Sequence, residues 1–353
     1  MSIVGGLDIH RQQITFDYLD TVTGEVTAGQ ITGADRRVLA AWLRRRFGDL
    51  PDRGDGGEDG GVEFALEGCT GWRYVAEELT AAGMVAHLAD PAETANLRGR
   101  KKRAKTDRAD ARHQRELLVA GRLPECWIPP TQVLEARALL QCYQDLRRDH
   151  TAWVQRIHAV LFHQGASVCT ELGTTAGRAR LARVAREQLS PAGQAQVRAG
   201  ALMLEATEAQ SEILHRQLLA VARHMKGPKT LVEQLYGVGP ITGLALTAWL
   251  GGARRFSSAR KAARFAGLDI TVYSSAGKRS PGRLSRQGPG VLRWCLYEAG
   301  KAHARPSAPD YAYYAAVKKK IDGKRAALSQ ARRLVRRAVH ILDELGDDAF
   351  AAA

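Results

Sequence analysis

Val133, Ala136, Leu140, Tyr143, Leu146, His150, Trp153, Ile157 and Val160 recur at spacings of three and four. A chain with that pattern has to build a long helix carrying a single apolar seam. A second pattern of the same kind runs from about Ala192 to Met225 through Leu202, Ile213, Leu214, Leu218 and Val221. Two such helices can pair as a coiled-coil-like antiparallel arm or serve as a dimer interface, and a plain bundle satisfies the same spacing. Trp127-Ile128-Pro129-Pro130 breaks the helical pattern before the first seam, and Gly227-Pro228 ends the second. These breaks divide the 353 residues into regions 1–130, 131–227 and 228–353.

The first region reads differently. Ile3 to Ile9, Gln13 to Asp20 and Val26 to Ile31 are strand-like runs separated by turn residues, as in an antiparallel meander. Asp35 is placed to cap a helix through Val38, Leu39, Trp42 and Leu43 to Phe47. The Gly- and Asp-dense stretch from Gly48 to Gly61 should be a solvated loop. Val62 to Glu67 is a strand, Trp72 to Ala82 a helix, Met84 to Leu88 a strand and Thr106 to Ala120 a helix, so a mixed sheet with helices packed on it follows. Beyond Pro228 the pattern is of short helices with Gly-rich turns at Tyr236–Pro240 and Tyr273–Gly282. The fold class is α/β plus α.

Composition narrows the partners. Lys plus Arg number 52 against 37 Asp plus Glu, a net charge of +15 whose natural use is a polyanion. No run approaches the roughly 20 apolar residues of a membrane span, which excludes an integral membrane protein. The N-terminus shows no basic segment before an apolar one, so a cytoplasmic protein is expected. Five widely spaced cysteines, never in CxxC, argue against a disulfide framework or a structural zinc and read as packing residues.

Two clusters carry chemistry. Asp8 closes the first strand, Glu67 closes a later one, and Asp107 and Asp110 share a helix face three residues apart. Such carboxylates can converge on one spot and present the hard oxygen ligands that divalent ions require. Singly, a strand-end Asp is an ordinary turn residue and an Asp-x-x-Asp pair ordinary dipole compensation. The basic run Arg98, Arg100, Lys101, Lys102, Arg103 and Lys105 immediately before Asp107 gives them a context that a polyanion would approach. In the third region, Arg254 to Arg293 holds ten basic residues against the single acid Asp269, as phosphate-backbone binding requires. Lys278, Arg279, Arg283, Arg286 and Arg293 are the residues expected to contact nucleic acid there. Leu235-Tyr236-Gly237-Val238-Gly239-Pro240 resembles the hairpin of helix-hairpin-helix modules, although a glycine turn between packed helices has the same composition.

GLDIH around Asp8, ALEGCTGW around Glu67, KTDRADA around Asp107 and Asp110, and the LADPAE stretch resemble the Asp-Glu-Asp-Asp signature of insertion-sequence transposases of the IS-one-ten family. The chain reads Glu67-Gly68-Cys69-Thr70-Gly71 where that family commonly has Glu-Ala-Thr-Gly. Tyr273-Ser274-Ser275-Ala276-Gly277-Lys278, after Phe265-Ala266-Gly267-Leu268, resembles the second domain of the same transposases, in which a serine attacks DNA. Alignment on Tyr273 makes Ser275 the nucleophile with Ser274 the alternative, and Ala276 stands where the family has Gly.

The resemblance implies an RNase H-like (RuvC-like) first domain, a coiled-coil-like arm and a mainly helical DNA-binding domain with a helix-hairpin-helix-like element. It also implies magnesium, two ions, on Asp8, Glu67, Asp107 and Asp110, and a covalent bond between Ser275 and DNA at a composite site. The partners it implies are donor and target DNA, a noncoding bridge RNA, and further copies of the chain as a dimer assembling to a tetramer. The competing readings are a metal-dependent Holliday-junction nuclease that uses water, and a non-catalytic nucleic-acid-binding protein.

Overall fold

β1 (Ile3–Ile9), β2 (Gln13–Asp20) and β3 (Val26–Thr32) pair antiparallel as a meander; β1 and β2 are buried on both faces along most of their length, whereas β3 alternates. The computed structural model describes residues 2–48, 61–98, 106–271, 273–275, 278–280 and 282–353, in two units, Met1–Ile128 and Pro129–Ala353. In the first unit α1 (Arg36–Phe47) follows the meander, with the Asp35 side chain accepting from the Val38 amide. Then come β4 (Val62–Glu67), α2 (Trp72–Ala81), β5 (Val85–Ala89), α3 (Pro91–Asn96), α4 (Asp107–Val119) and the short β6 (Glu125–Cys126). The sheet order is β3-β2-β1-β4-β5-β6, with β1, β4 and β5 parallel and β6 antiparallel to β5.

Strand periodicity separates the two faces of this mixed sheet. Ile3 and Leu7 of β1 lie in register with Val62 and Leu66 of β4, and with Phe64 they pack against Leu39 and Leu43 of α1 and Leu79 of α2. The other face presents Gly6 opposite Ala65, and here α4 lies directly on the strands. A Cβ at Gly6 would overlap the Ala111 carbonyl oxygen and stand 2.8 Å from the Arg115 amide nitrogen, so only glycine permits this approach. The buried Gln114 side chain fixes the contact: with its nitrogen facing the sheet, it donates to both the Leu7 and Ala65 carbonyls at 3.0 Å. Asp17 of β2 is also buried and is paired with Arg115. Gly6→Ala should therefore cost about 2 to 3 kcal/mol, the upper part of the overpacking range, in a denaturant titration. An unchanged midpoint would mean that α4 can be displaced freely.

The second unit is built from α5 (Thr131–His163), α6 (Thr175–Gln188), α7 (Pro191–His224), α8 (Lys226–Gln234), α9 (Pro240–Leu250) and α10 (Ala259–Phe265). A two-stranded hairpin of β7 (Tyr273–Ser275) and β8 (Lys278–Ser280) precedes α11 (Gly290–Ala302), α12 (Tyr311–Lys320) and α13 (Gly323–Leu345). The seam predicted from Val133 lies in α5, which packs along α7. Sequence periodicity did not reveal α6, which folds over the end of that pair. Its Leu181, Val184 and Ala185 join Ile157, Leu161, Val197 and Leu204 in one core. The largely apolar α9 is buried from Gly243 to Leu250, and α11 and α13 pack together.

Among the described residues no helix is long and apolar enough to cross a membrane. All five cysteines are free; Cys169 and Cys295 are buried, whereas Cys142 is exposed and is not a packing residue. Burial pushes the Cys295 thiol up to about 12, which leaves it unreactive.

Candidate functional site

Asp8 follows Gly6 by one strand period, and Glu67 follows Ala65 by one, so both lie on the sheet face that α4 covers. The Ala111–Gln114 turn sits on Gly6, and the first turn of α4 brings Asp107 and Asp110 to the strand ends. The Thr106 side chain caps that turn by accepting from the Ala109 amide. The close helix approach that Gly6 permits is thus what joins carboxylates about a hundred residues apart in sequence.

Ligand atoms of Asp8, His10 and Asp107 all lie within 4.8 Å of one another. His10 Nε2 is 3.1 Å from Asp8 Oδ2 and 3.4 Å from Asp107 Oδ1, while Gln13 Nε2 donates to Asp107 Oδ2 at 3.2 Å. Asp110, buried on the same helix, lies 2.5 Å from the Arg98 guanidinium through its Oδ1, an ion pair without hydrogen-bond alignment. The structure therefore brings Asp8 and Asp107 together, places Asp110 within electrostatic reach, and sets Glu67 at the neighbouring strand end. Sequence reasoning overlooked His10. Its signal was present in Asp8-Ile9-His10, since residues two apart on a strand share a face.

Burial holds the Asp8 carboxyl above the ordinary carboxylate range; His10 pulls it back, and the charges of Asp110 and Asp107 add to the rise. A carboxyl raised in the fold binds its proton more tightly there than in the unfolded chain. Without metal its contribution to stability is present below the ordinary range and declines as pH rises through the raised value. Asp8→Asn should accordingly keep or raise the melting temperature at pH 7 in metal-free buffer. A fall of several degrees in calorimetry would mean that Asp8 supports the fold instead. The donor set, two carboxylates and an imidazole with further carboxylates beside them, fits a divalent cation such as magnesium or manganese.

The second cluster lies in the other unit. Ser275 ends β7 and is in register with Lys278, the first residue of β8, with Arg279 next along that strand. The side chains of Ser274, Ser275, Lys278 and Arg279 lie outside the described residues, as do Arg100, Lys101, Lys102, Arg103 and Lys105 entirely. Downstream, Arg283 and Arg286 are exposed, and Arg293 is half-buried. Burial, with the charge of Arg286, lowers the Arg293 pKa. Arg286 adopts φ of 55°, a left-handed conformation that an L residue holds only where its surroundings impose it. Two residues on, Gly288 has φ 87° and its Cβ position is filled by the Phe265 carbonyl. This contact ties the Phe265-Ala266-Gly267-Leu268 segment to the arginine-bearing turn. From α13, which sequence reasoning did not connect to this cluster, Arg332 Nε donates to the Leu268 carbonyl at 2.6 Å.

If this segment tracks phosphates, neutralising Arg283 should lower the magnitude of the log-affinity versus log-salt slope by about 0.9 on duplex DNA, and Arg279 by a similar amount. Filter binding across a salt series measures it. An unchanged slope with both neutralised would assign the charge to something other than DNA.

Within the second unit, residues 229–315 match the family described as Transposase IS116/IS110/IS902 family. That span includes α9, the β7–β8 hairpin and α11. The chain is also similar to a Pseudomonas aeruginosa protein named "Probable family 20 transposase". The two are 27% identical over 281 residues, covering 76% of this chain and 77% of that relative.

Proposed function

We propose that the protein is the transposase of an insertion sequence, which cuts and rejoins DNA through a covalent bond to Ser275. The observation that carries the reading is the convergence of Asp8, His10 and Asp107 in a chain that also bears a transposase-family domain. The strand order and the helix on the Asp8 face suit an RNase H-like (RuvC-like) domain. The α8–turn–α9 segment, with Gly237 at φ 81°, suits a helix-hairpin-helix-like phosphate contact.

Asp8 and Asp107 would hold divalent metal, with His10, Glu67 and Asp110 adjacent. When bound, magnesium supplies Lewis acidity at the attacking and leaving oxygens of a phosphodiester. Asp8 and Asp107 keep that charge fixed, and Gln13 orients the Asp107 carboxylate. The Ser275 hydroxyl gives up its proton as Oγ bonds to phosphorus, and the departing deoxyribose oxygen takes a proton as its bond to phosphorus breaks. Phosphodiester energy is conserved in the serine ester, so rejoining needs no other energy source. Arginines of the 283–293 segment offset the charge that develops on the phosphoryl oxygens. Within the same reading the partners are donor and target DNA, a bridge RNA that pairs with both, and further copies of the chain up to a tetramer.

The test is to trap cleaved DNA on the protein under denaturing conditions and map the modified residue by mass spectrometry. A serine ester at Ser275 is the expected result. Cleavage with no adduct under any trapping condition would favour the metal-dependent nuclease, and binding without cleavage the non-catalytic reading.

A further inference from the structure

We propose that a cavity at the base of the β7–β8 hairpin receives one unpaired nucleotide of the DNA, its base on an apolar floor and its phosphate among arginines. The proposal rests on the transposase reading and adds to it a site for the strand beside the one that is cut.

The cavity has a volume of about 530 Å³, within the range of small-molecule sites. Its lining combines the apolar Ile270, Leu284 and Ile321 with Arg283, Arg325 and Arg332. Ile270 and Ile321 are 50% and 49% exposed, so two large aliphatic side chains share the cavity with cations and remain open to solvent. Among the described residues Arg283 has no ion-paired carboxylate, Arg325 pairs with Asp322 at 3.7 Å, and Arg332 feels the charge of Asp269. A cavity of arginines alone would suit any phosphate, and one of isoleucines alone would suit an apolar chain. The two together match a ligand with one anionic end and one flat, weakly polar end, which is a nucleotide. Guanidinium planes also stack on unstacked bases.

Position supports the assignment. Ile270 and Leu284 form an antiparallel bridge, and the Thr271 amide donates to the Arg283 carbonyl at 2.8 Å. The cavity wall is therefore the stem of the hairpin that ends in Ser275. Ser275 lies five positions after Ile270, at most about 18 Å of chain, so an occupant would be a near neighbour of the phosphodiester that Ser275 attacks. Extruding a base costs a few kcal/mol, and less where it is already unpaired, so such a pocket would favour opened over intact duplex.

The experiment measures the affinity of the full chain for three otherwise identical duplexes: fully paired, with one bulged nucleotide, and with the bulged nucleotide made abasic. No particular sequence is needed, because backbone contacts are sequence-independent. The native chain should bind the bulged duplex about 5- to 100-fold more tightly than the other two, as expected for one captured base. The double variant Ile270→Ser, Ile321→Ser changes only half-exposed side chains; it should lose that preference and keep its affinity for paired duplex. Equal affinity for bulged and abasic duplexes, or a preference that survives in the double variant, would overturn the pocket. Tighter binding of a bulged ribonucleotide than of its deoxy counterpart would overturn the assignment to DNA. Failure to bind any of the three duplexes would count against the transposase reading itself, whereas binding without preference counts against the pocket alone.

Discussion

Asp107→Asn should reduce DNA joining by more than about 100-fold while the protein stays folded and still binds DNA. The argument begins at the helix start: Asp107 faces Asp8 through His10, and its other oxygen accepts from Gln13, so its charge is both placed and oriented. Loss of groups that merely orient metal ligands typically costs 10- to 100-fold, and loss of a ligand's charge should exceed that. Asp8→Asn should behave the same way, as should Glu67→Gln at the adjacent strand end. Asp110→Asn should also be inactive, but for this variant the ion pair with Arg98 adds a structural contribution. Its melting temperature must therefore be measured beside its activity. DNA binding, which the proposal assigns to basic residues rather than to these carboxylates, should change little in all four. Near-normal joining by any folded variant would remove that residue from the metal site. Calorimetric titration with manganese separates weak metal binding from loss of the reaction.

Ser275→Ala should eliminate both the covalent adduct and the joined product, with metal and DNA binding unchanged. Water can replace serine in a hydrolysis but cannot store the phosphodiester energy that rejoining uses, so cleavage and joining should come apart in this one variant. Joined product should fall below detection, a loss of at least about 1000-fold on the scale of activated nucleophiles. Should Ser274→Ala be the inactive variant while Ser275→Ala recombines, the register across Ala276 shifts by one residue and serine chemistry stands. Full recombination by both variants would exclude it and leave the metal-dependent nuclease or a transposase using water.

The strands of the first unit and both long helices were legible because each depends on a local pattern. Turn residues bound the strand run Ile3–Ile9, and the α5 seam recurs every three or four residues. Helix α6 was hidden because its buried face is short and set by contacts with α5 and α7, far off in sequence. The two-residue β6 was hidden because it exists only as a partner of β5. In the carboxylate site, residue types pointed to Asp8, Glu67, Asp107 and Asp110. The contribution of His10 waited on the structure, since one histidine after a strand-end aspartate is common and means little until a second carboxylate is seen beside it.

From sequence alone came the elements, the break near Pro130, the excess of positive charge and the identity of the acidic and serine-bearing segments. These follow from spacing, chain chemistry and composition, each readable within a window of a few dozen residues. Tertiary structure decided that Gly6 lets α4 lie on the strands, so that Asp8, His10 and Asp107 fall within 4.8 Å. It also decided that arginines of α13 meet Arg283 around one cavity. The physical reason is that both depend on how closely distant segments approach. A missing Cβ or a buried amide decides such an approach by an ångström or two, and no local pattern encodes a distance to a residue a hundred positions away.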